Sequence, residues 1–342
     1  MIRFTQCKSK RTVMTMASTT SDPVSSHASP SLDSSLSSRA TPARERHGAV
    51  LMIVGGVVLG TMGAFVEEAG QTPFTAVWFR CAFGAAALLL WGVARGRTHE
   101  LRLDRRGLAA ALLAGALMTA NWALFFAALE RTSIAVATVV FHVQPIWVMA
   151  AGVLWLGERF SLVRAGAALL ALIGLTLATG LTFGDGQGAS MGQARTPAYL
   201  WGLAMCVGAS LAYTGVTLIA KSVQRVSSFA LAWWQCAVGV VALGWWPLTH
   251  GWPAWGPAWG WLTGLGVLHT GLAYVLLYGG MSRLPAARIA LLQFVYPACA
   301  IAMDWLVYGR ALSAMQMVGV VLIALAQWGA KMQLPRSAAA SR

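Results

Sequence analysis

Two ionisable side chains, Arg80 and Asp304, lie inside stretches of sequence that are otherwise apolar. A charge within a membrane helix is costly, so such residues usually line a polar path, bind a ligand or pair with each other. Arg80 lies roughly 10 Å below the outer end of its apolar stretch, since each helical residue rises about 1.5 Å. Its guanidinium could hold the carboxylate of a solute through two parallel hydrogen bonds. Alternatively, it could extend to the membrane surface or pair with a structural acid.

Asp304 belongs to a polar helix face. Steps of four, three, four and four residues join Gln293, Pro297, Ala300, Asp304 and Tyr308, and this spacing places them on one side of a helix. We expect the face to point into the protein, and we hypothesise an Arg80–Asp304 pair that a solute or a proton breaks. Buried carboxylates can exchange protons near neutral pH, which makes protons a candidate coupling ion. A structural Arg–Asp pair and an Asp304 wetted at the outer surface are the alternatives.

Five further polar residues lie in the apolar stretches and are candidates for a solute or proton pathway: Asn121, His142, Gln144, His269 and Gln293. A histidine can titrate or donate to a solute, whereas Asn, Gln and His also serve as hydrogen bonds between membrane helices. Pro145 and Pro297 interrupt helical hydrogen bonding, so each is a candidate hinge or a static kink. Trp78, Trp122, Phe125, Trp233 and Tyr274 are aromatic residues that could shape a cavity between these helices.

The composition predicts an all-α integral membrane protein. Of the 342 residues, 57% are hydrophobic and only 11% are charged, compared with about 25% charged residues in soluble domains. The net charge of +14 does not indicate nucleic acid, because the basic residues occupy short loops between apolar stretches. The lipid bilayer is therefore the expected partner. The five cysteines form no C-x-x-C pair, and we expect no disulfide, metal site or cofactor.

Apolar stretches of membrane-spanning length predict ten transmembrane helices. They cover residues 49–66, 73–94, 107–128, 134–156, 165–183, 198–220, 228–247, 259–279, 286–307 and 314–331. Residues 1–48 are rich in Ser and Thr and are expected to form a disordered cytoplasmic tail. Residues 184–197 are expected to link two halves outside the cytoplasm, and residues 333–342 to form a second cytoplasmic tail.

The basic residues also predict the orientation. If both termini are cytoplasmic, 21 Lys and Arg residues lie inside and only Arg131, Arg195 and Arg310 lie outside. Cytoplasmic loops are enriched in Lys and Arg, so we expect this orientation. The Ala-, Gly- and Arg-rich composition is typical of a GC-rich bacterium, which indicates an inner membrane.

The sequence repeats itself. At a shift of 152 residues, "RTSIAVATVVFHVQP" lies over "RLPAARIALLQFVYP", and at a shift of 155 residues "FTAVWFRCAFG" lies over "FALAWWQCAVG". Each half has five predicted helices, so the second half would enter the membrane upside down. Inverted repeats with a site between them are typical of transporters that rock one half against the other. Chance matching of small apolar residues is the alternative.

The stretch "ALMTANWALFFAALERTSIAVATVVFHVQPIWVMAAGVLWLGERFS" resembles the end of an EamA-type repeat of the drug/metabolite transporter superfamily, and "VLHTGLAYVLLYGGMSRLPAARIALLQFVYPACAIAMDWLVYG" resembles its second copy. The resemblance implies two inverted five-helix repeats, here residues 49–183 and 198–332. It also implies movement of a small metabolite, often export of an amino acid or related compound, without ATP. The first copy ends in Gly157-Glu158, as the family tends to, but the second has Gly309-Arg310.

The sequence also allows other functions. A multidrug exporter of lipophilic cations would use Asp304 as its anchor instead of Arg80, and a membrane scaffold would move no solute. A membrane enzyme is disfavoured because the sequence has no H-E-x-x-H or G-x-S-x-G motif. A Walker motif for ATP is also absent from the sequence.

Overall fold

The computed structural model describes residues 32–132, 134–179, 196–309 and 313–331. Residues 1–31 of the expected N-terminal tail, most of the expected linker and the expected C-terminal tail lie outside this part of the chain. The chain forms two compact units, Met1–Thr41 and Pro42–Arg342. In the first unit the described residues are helical, and the second unit holds the remaining helices.

The described residues form helices joined by short turns, without any strand. The α-helices are α1 Leu32–Gly60, α2 Met62–Ala69, α3 Pro73–Ala94, α4 Arg105–Leu129, α5 Ile134–Phe141, α6 Gln144–Leu156, α7 Leu162–Ala178, α8 Pro197–Ser222, α9 Ser228–Ala242, α10 Trp245–His250, α11 Pro257–Gly264, α12 Ala273–Met281, α13 Ala286–Leu292, α14 Val295–Tyr308 and α15 Ala314–Lys331. A 3₁₀ turn covers Thr98–Leu101, and a π-helix covers Leu265–Leu272.

Within the described residues, eight helical stretches are long and apolar enough to cross a membrane. They are Pro42–Ala69, Pro73–Ala94, Arg105–Leu129, Val136–Leu156, Pro197–Ser222, Ser228–His250, Pro257–Met281 and Ala286–Tyr308. The apolar helices Leu162–Ala178 and Ala314–Ala326 are shorter and correspond to the fifth and tenth predicted helices. The all-helical membrane class is therefore confirmed.

The first helix requires a correction to the expected boundary at residue 48, because α1 already begins at Leu32. Tertiary contacts are formed by the part of α1 next to this boundary. Gly48 and Ala49 are buried, and Glu45 forms a 2.9 Å ion pair with Arg288. Composition predicted a solvated tail because contacts with residues far away in the sequence produce no local sequence pattern.

Two membrane-spanning stretches are broken at corresponding places, within one residue of the 152-residue shift of the repeat. The first break separates α5 from α6 at His142 and Val143, and the second separates α13 from α14 at Gln293 and Phe294. At each break the backbone tightens: the Val143 amide donates to Val140 at 3.3 Å, and the Phe294 amide donates to Leu291 at 3.1 Å. A proline follows each break, and its missing N–H prevents a regular helical bond there.

Small residues allow the helices to approach closely, as is usual in membrane proteins. Helices α7 and α15 meet at Gly174 and Gly319, where a Cβ on Gly319 would lie 2.4 Å from the backbone nitrogen of Ala178. Helix α3 meets the π-helix in the same manner, because a Cβ on Gly266 would lie 2.8 Å from the Gly84 nitrogen. This second contact places the Arg80 side of α3 against the π-helix.

We predict that Gly319→Ala destabilises the packing of α7 on α15. The new methyl group would meet backbone atoms, which cannot rotate away, and overpacking of this kind costs about 1–3 kcal/mol. Thermal unfolding of the purified protein in detergent measures the loss. The control is Gly329→Ala in the same helix, where an added Cβ has nothing within 4 Å. Equal unfolding temperatures for the two variants would contradict the prediction.

Candidate functional site

A cavity of about 200 Å³ opens between the two helix breaks. Five of the seven predicted pathway residues line it: Arg80, Asn121, His142, Gln144 and Gln293. These residues come from α3, α4, α6 and the two breaks, so the fold brings together positions that are far apart in sequence. The other two predicted residues are His269, which lies outside the lining, and Asp304, whose side chain falls outside the described part of the structure.

Arg80 is buried, with 6% of its surface exposed. Its Nε donates to Thr270 Oγ1 at 2.8 Å, and its Nη2 donates to the Tyr274 hydroxyl at 2.6 Å. Its Nη1 lies 3.2 Å from the sulfur of Met62. The Thr270 hydroxyl in turn donates to the carbonyl of Leu265 at 3.2 Å. The π-helix therefore contributes directly to the position of the guanidinium.

Aromatic rings surround the guanidinium. The Arg80 Cζ lies 4.9 Å from the centroid of the Trp122 ring and 5.7 Å from that of Tyr274, and such contacts attract a cation. Of the aromatic residues considered from the sequence, Trp122, Phe125 and Tyr274 line the cavity. Trp78 does not, since its ring N–H donates to the Val240 carbonyl at 3.1 Å, and Trp233 is also absent from the lining.

Among the side chains that the structure describes, no carboxylate lies within ion-pair distance of Arg80. The hydroxyls, the sulfur and the rings around it are all neutral. The cavity therefore carries a net positive charge from its described residues. The Arg80–Asp304 pair stays a prediction.

Two glutamines, one from each half, meet at Thr217 of α8. Gln144 Nε2 donates to Thr217 Oγ1 at 3.3 Å, and Gln293 Nε2 donates to the same oxygen at 3.4 Å. The Thr217 hydroxyl donates to the Tyr213 carbonyl at 3.0 Å. The side-chain oxygens of Gln293 and Asn121 are buried and have no partner among the described groups, so both can accept a hydrogen bond from a bound solute.

The prolines provide additional acceptors. Because Pro145 and Pro297 lack an N–H, the carbonyls of Phe141 and Gln293, four residues earlier, lose their usual helical donor. Both of these residues border the cavity. Freed carbonyls at broken helices commonly coordinate solutes or ions in transporters.

The two predicted histidines have different surroundings. His142 lines the cavity, and its Nδ1 lies 2.7 Å from the Thr138 carbonyl. Because a carbonyl only accepts, Nδ1 carries the proton and Nε2 of the neutral ring is an acceptor. His269 instead bonds Thr61 at 2.8 Å and packs against the Phe65 ring, with 4.6 Å between centroids. His269 is thus a contact between helices.

Several lining residues were missed by sequence reasoning, among them Phe126, Phe141, Tyr213 and Tyr296. Aromatic residues are frequent in every apolar stretch of this chain, so their type alone carried no signal. The repeat offered one signal, because Tyr296 is the counterpart of Gln144 at the shift of 152 residues.

Glu158, which follows α6, connects the two halves at the end of that helix that is farther from the cavity. Both of its carboxylate oxygens lie 2.9 Å from the backbone nitrogen of Ala286, the first residue of α13. Its Oε1 also lies 2.9 Å from Lys221 Nζ, and Lys221 donates to the Leu284 carbonyl at 3.0 Å. This group of contacts, which we call the Glu158 clasp, joins the end of α6 to α8 and α13.

The model of the EamA-like transporter family matches residues 46–180 and again residues 200–330. The chain belongs to the EamA-like transporter family. The two matches confirm the resemblance to the drug/metabolite transporter superfamily and cover most of both helical halves. Family membership makes the chain a multi-pass membrane transporter that handles a small solute in a lipid bilayer, and a transporter is not an enzyme.

Relatives of this EamA-like transporter cover most of the chain. The uncharacterized transporter YxxF of Bacillus subtilis (strain 168) is 25% identical over 278 residues, which are 80% of this chain and 86% of that protein. An uncharacterized transporter of Archaeoglobus fulgidus is 25% identical over 283 residues, 81% of this chain and 94% of that protein. A crystal structure with 18% identity aligns over 83% of this chain and 97% of its own, with a TM-score of 0.72, which supports the fold.

We predict that Tyr274→Phe destabilises the transporter more than Tyr213→Phe does. Both residues line the cavity, but only the Tyr274 hydroxyl accepts a described hydrogen bond from Arg80. Hydrogen bonds to charged groups contribute about 1.5–3 kcal/mol. Thermal unfolding in detergent measures both variants. A larger loss for Tyr213→Phe would contradict the described position of Arg80.

Proposed function

We propose that the protein exports a small carboxylate-bearing metabolite, an amino acid or a related compound. The observation that carries this proposal is the buried guanidinium of Arg80, which has neutral described partners and lies in the cavity between the halves. A solute carboxylate would neutralise this charge and could accept hydrogen bonds from the guanidinium N–H groups that have no partner in the protein. The surrounding rings exclude water and so strengthen the attraction.

An amino group on the solute would also find partners. The free oxygens of Asn121 and Gln293 accept hydrogen bonds, and so do the carbonyls released by the two prolines. These acceptors favour a zwitterion over a simple anion. A lipophilic cation, the alternative substrate class, would meet the positive charge of Arg80 without a described carboxylate in the cavity lining to balance it.

The transport mechanism follows from the repeat. We infer ten transmembrane helices in two inverted halves, with α7 and α15 as the fifth and tenth. Two kinds of contact support this arrangement: α3 packs on the π-helix, and its counterpart α9 packs on α4. If each helix is replaced by its counterpart in the other half, the contact of α3 with the π-helix becomes the contact of α9 with α4. Rocking of the halves about Pro145 and Pro297 then exposes the cavity to each side in turn.

The charge distribution supports an orientation with both termini in the cytoplasm of a bacterium. In this orientation the cavity lies in the middle and outer parts of its helices, and the Glu158 clasp lies at their cytoplasmic ends. These contacts support an arrangement that is closed on the cytoplasmic side. Export requires the clasp to open when the solute enters from the cytoplasm, and protons are a candidate driving ion.

Replacement of Arg80 tests the proposed substrate class. We compare solutes in the medium of cells that express the wild type, Arg80→Gln, Arg80→Lys or no transporter. Arg80→Lys keeps the charge but loses the planar fork. We expect one carboxylate-bearing solute to accumulate with the wild type, and binding of that solute to purified Arg80→Gln to weaken about tenfold or more.

The control, at equal membrane abundance, is Arg105→Gln, which replaces an exposed arginine outside the cavity. Equal export of the solute by Arg80→Gln would overturn the role of Arg80. Export of a cation instead would favour the multidrug alternative. No change of any solute in either direction would favour a scaffold.

We predict that Glu158→Gln loosens the cytoplasmic closure. The amide keeps the shape of the side chain but loses the charge that attracts Lys221 and the Ala286 N–H. Hydrogen–deuterium exchange of peptides from the start of α13 should accelerate about tenfold, which corresponds to the loss of one charged hydrogen bond. Glu130→Gln is the control, since Glu130 pairs with the neighbouring Arg131 within one half. Equal acceleration in both variants would argue against a clasp.

A further inference from the structure

A second cavity, of about 320 Å³, shares no lining residue with the candidate site. It lies among the ends of α8, α9 and α12, the start of the membrane stretch of α1 and the turn after α3. The charge-based orientation puts all of these ends at the cytoplasmic side. Its lining is mainly polar, in contrast to the aromatic cavity described above.

Three arginines from separate segments line this second cavity: Arg44, Arg97 and Arg283. Arg97 is paired with Glu100, through contacts of 2.5 and 3.0 Å. These hydrogen bonds hold the pKa of Glu100 below its usual range, so that Glu100 stays ionised at neutral pH. No described carboxylate pairs with Arg44 or Arg283. Three guanidinium groups and one carboxylate leave a local charge of two positive units.

Neutral donors complete the lining. Ser227 and Ser228 begin α9, and Ser227 caps that helix by accepting from the Ala230 amide at 3.1 Å. The N-terminus of a helix attracts anions through its amide groups and its dipole. A Cβ added to Gly279 would lie 3.5 Å from Arg283 Nη1 and 3.7 Å from Ser228 Oγ. A guanidinium nitrogen and a hydroxyl therefore converge above this glycine.

We propose that the second cavity binds a phosphate-bearing anion at the membrane boundary. Phosphate oxygens match the fork of an arginine and accept from hydroxyls, and a phosphate group carries up to about two negative charges near neutral pH. Basic pockets at the cytoplasmic ends of membrane helices bind phospholipid head groups in this way. A soluble phosphate compound presents the same chemistry.

The surface beside the cavity also suits a phospholipid. Arg97 lies over the Trp91 ring, with 5.0 Å between Cζ and the ring centroid. On the same helix, Leu90 and Val93 are 71% and 62% exposed, which offers acyl chains an apolar path next to the guanidinium. The ligand would contact Arg44 and Arg97 of the first half together with Ser228 and Arg283 of the second. It would therefore stabilise the arrangement in which these segments are together.

The test measures binding to the purified full chain in a neutral detergent, by native mass spectrometry and by the shift of the thermal unfolding midpoint. The probes are phosphatidylglycerol, phosphatidylcholine, inorganic phosphate and sulfate. The variants are Arg44→Gln, the double variant Arg44→Gln/Arg283→Gln, and Gly279→Leu, which fills the cavity without changing its charge. Arg44 is exposed, so its replacement leaves the fold intact even if the other variants do not fold.

The matched control is Arg95→Gln/Arg105→Gln, which removes two exposed arginines from the same side of the protein but outside the cavity. We expect the wild type to bind phosphatidylglycerol or inorganic phosphate at least about tenfold more tightly than Arg44→Gln does, as for loss of one charged hydrogen bond, while the control is unchanged. Binding of phosphatidylglycerol identifies a lipid head group, and binding of inorganic phosphate over sulfate identifies a soluble source. Absence of binding by either probe, or equal losses in the control, would overturn the proposal.

Discussion

The buried positive charge of Arg80 is the constraint on which the central part of the structure depends. A charge that leaves water must be stabilised by the groups around it. Here those groups come from different helices, since Met62 belongs to α2, Trp122 to α4, Thr270 to the π-helix and Tyr274 to α12. Each of these helices must therefore keep a fixed position relative to α3. The wide turn of the π-helix and the close glycine contact beside it allow Thr270 to reach the guanidinium.

The same region combines this fixed charge with two interruptions of regular helix. The two helix breaks border the cavity, and a proline lies two or three residues after each of them. Thr217 lies between Gln144 and Gln293, so one hydroxyl accepts hydrogen bonds from both glutamines. The charge, the hydrogen-bond acceptors and the helix breaks thus lie around one cavity, to which both halves contribute residues.

The sequence predicted the elements well and their partners poorly. Helix α3 begins at Pro73 and ends at Ala94 as expected, because apolar length and a proline start define both ends. Arg80, Asn121, His142, Gln144 and Gln293 stood out because polar residues are rare in apolar stretches. In contrast, Thr270, Thr217 and Tyr213 come from distant segments, and their types are unremarkable in a membrane helix. The part of α1 just before residue 49 also has a distant partner, since Glu45 pairs with Arg288.

Glu158 has no acidic counterpart in the second half of the sequence, where Arg310 follows Gly309. The sequence of the second half therefore cannot repeat a carboxylate contact at this position. In the proposed cycle of two rocking halves, this difference would make the resting equilibrium of the empty transporter unequal. A solute that arrives on the clasped side binds only the fraction of molecules in which the clasp is open, and its apparent affinity falls by that fraction. The protein can thus present different affinities to the two sides of the membrane with one and the same cavity.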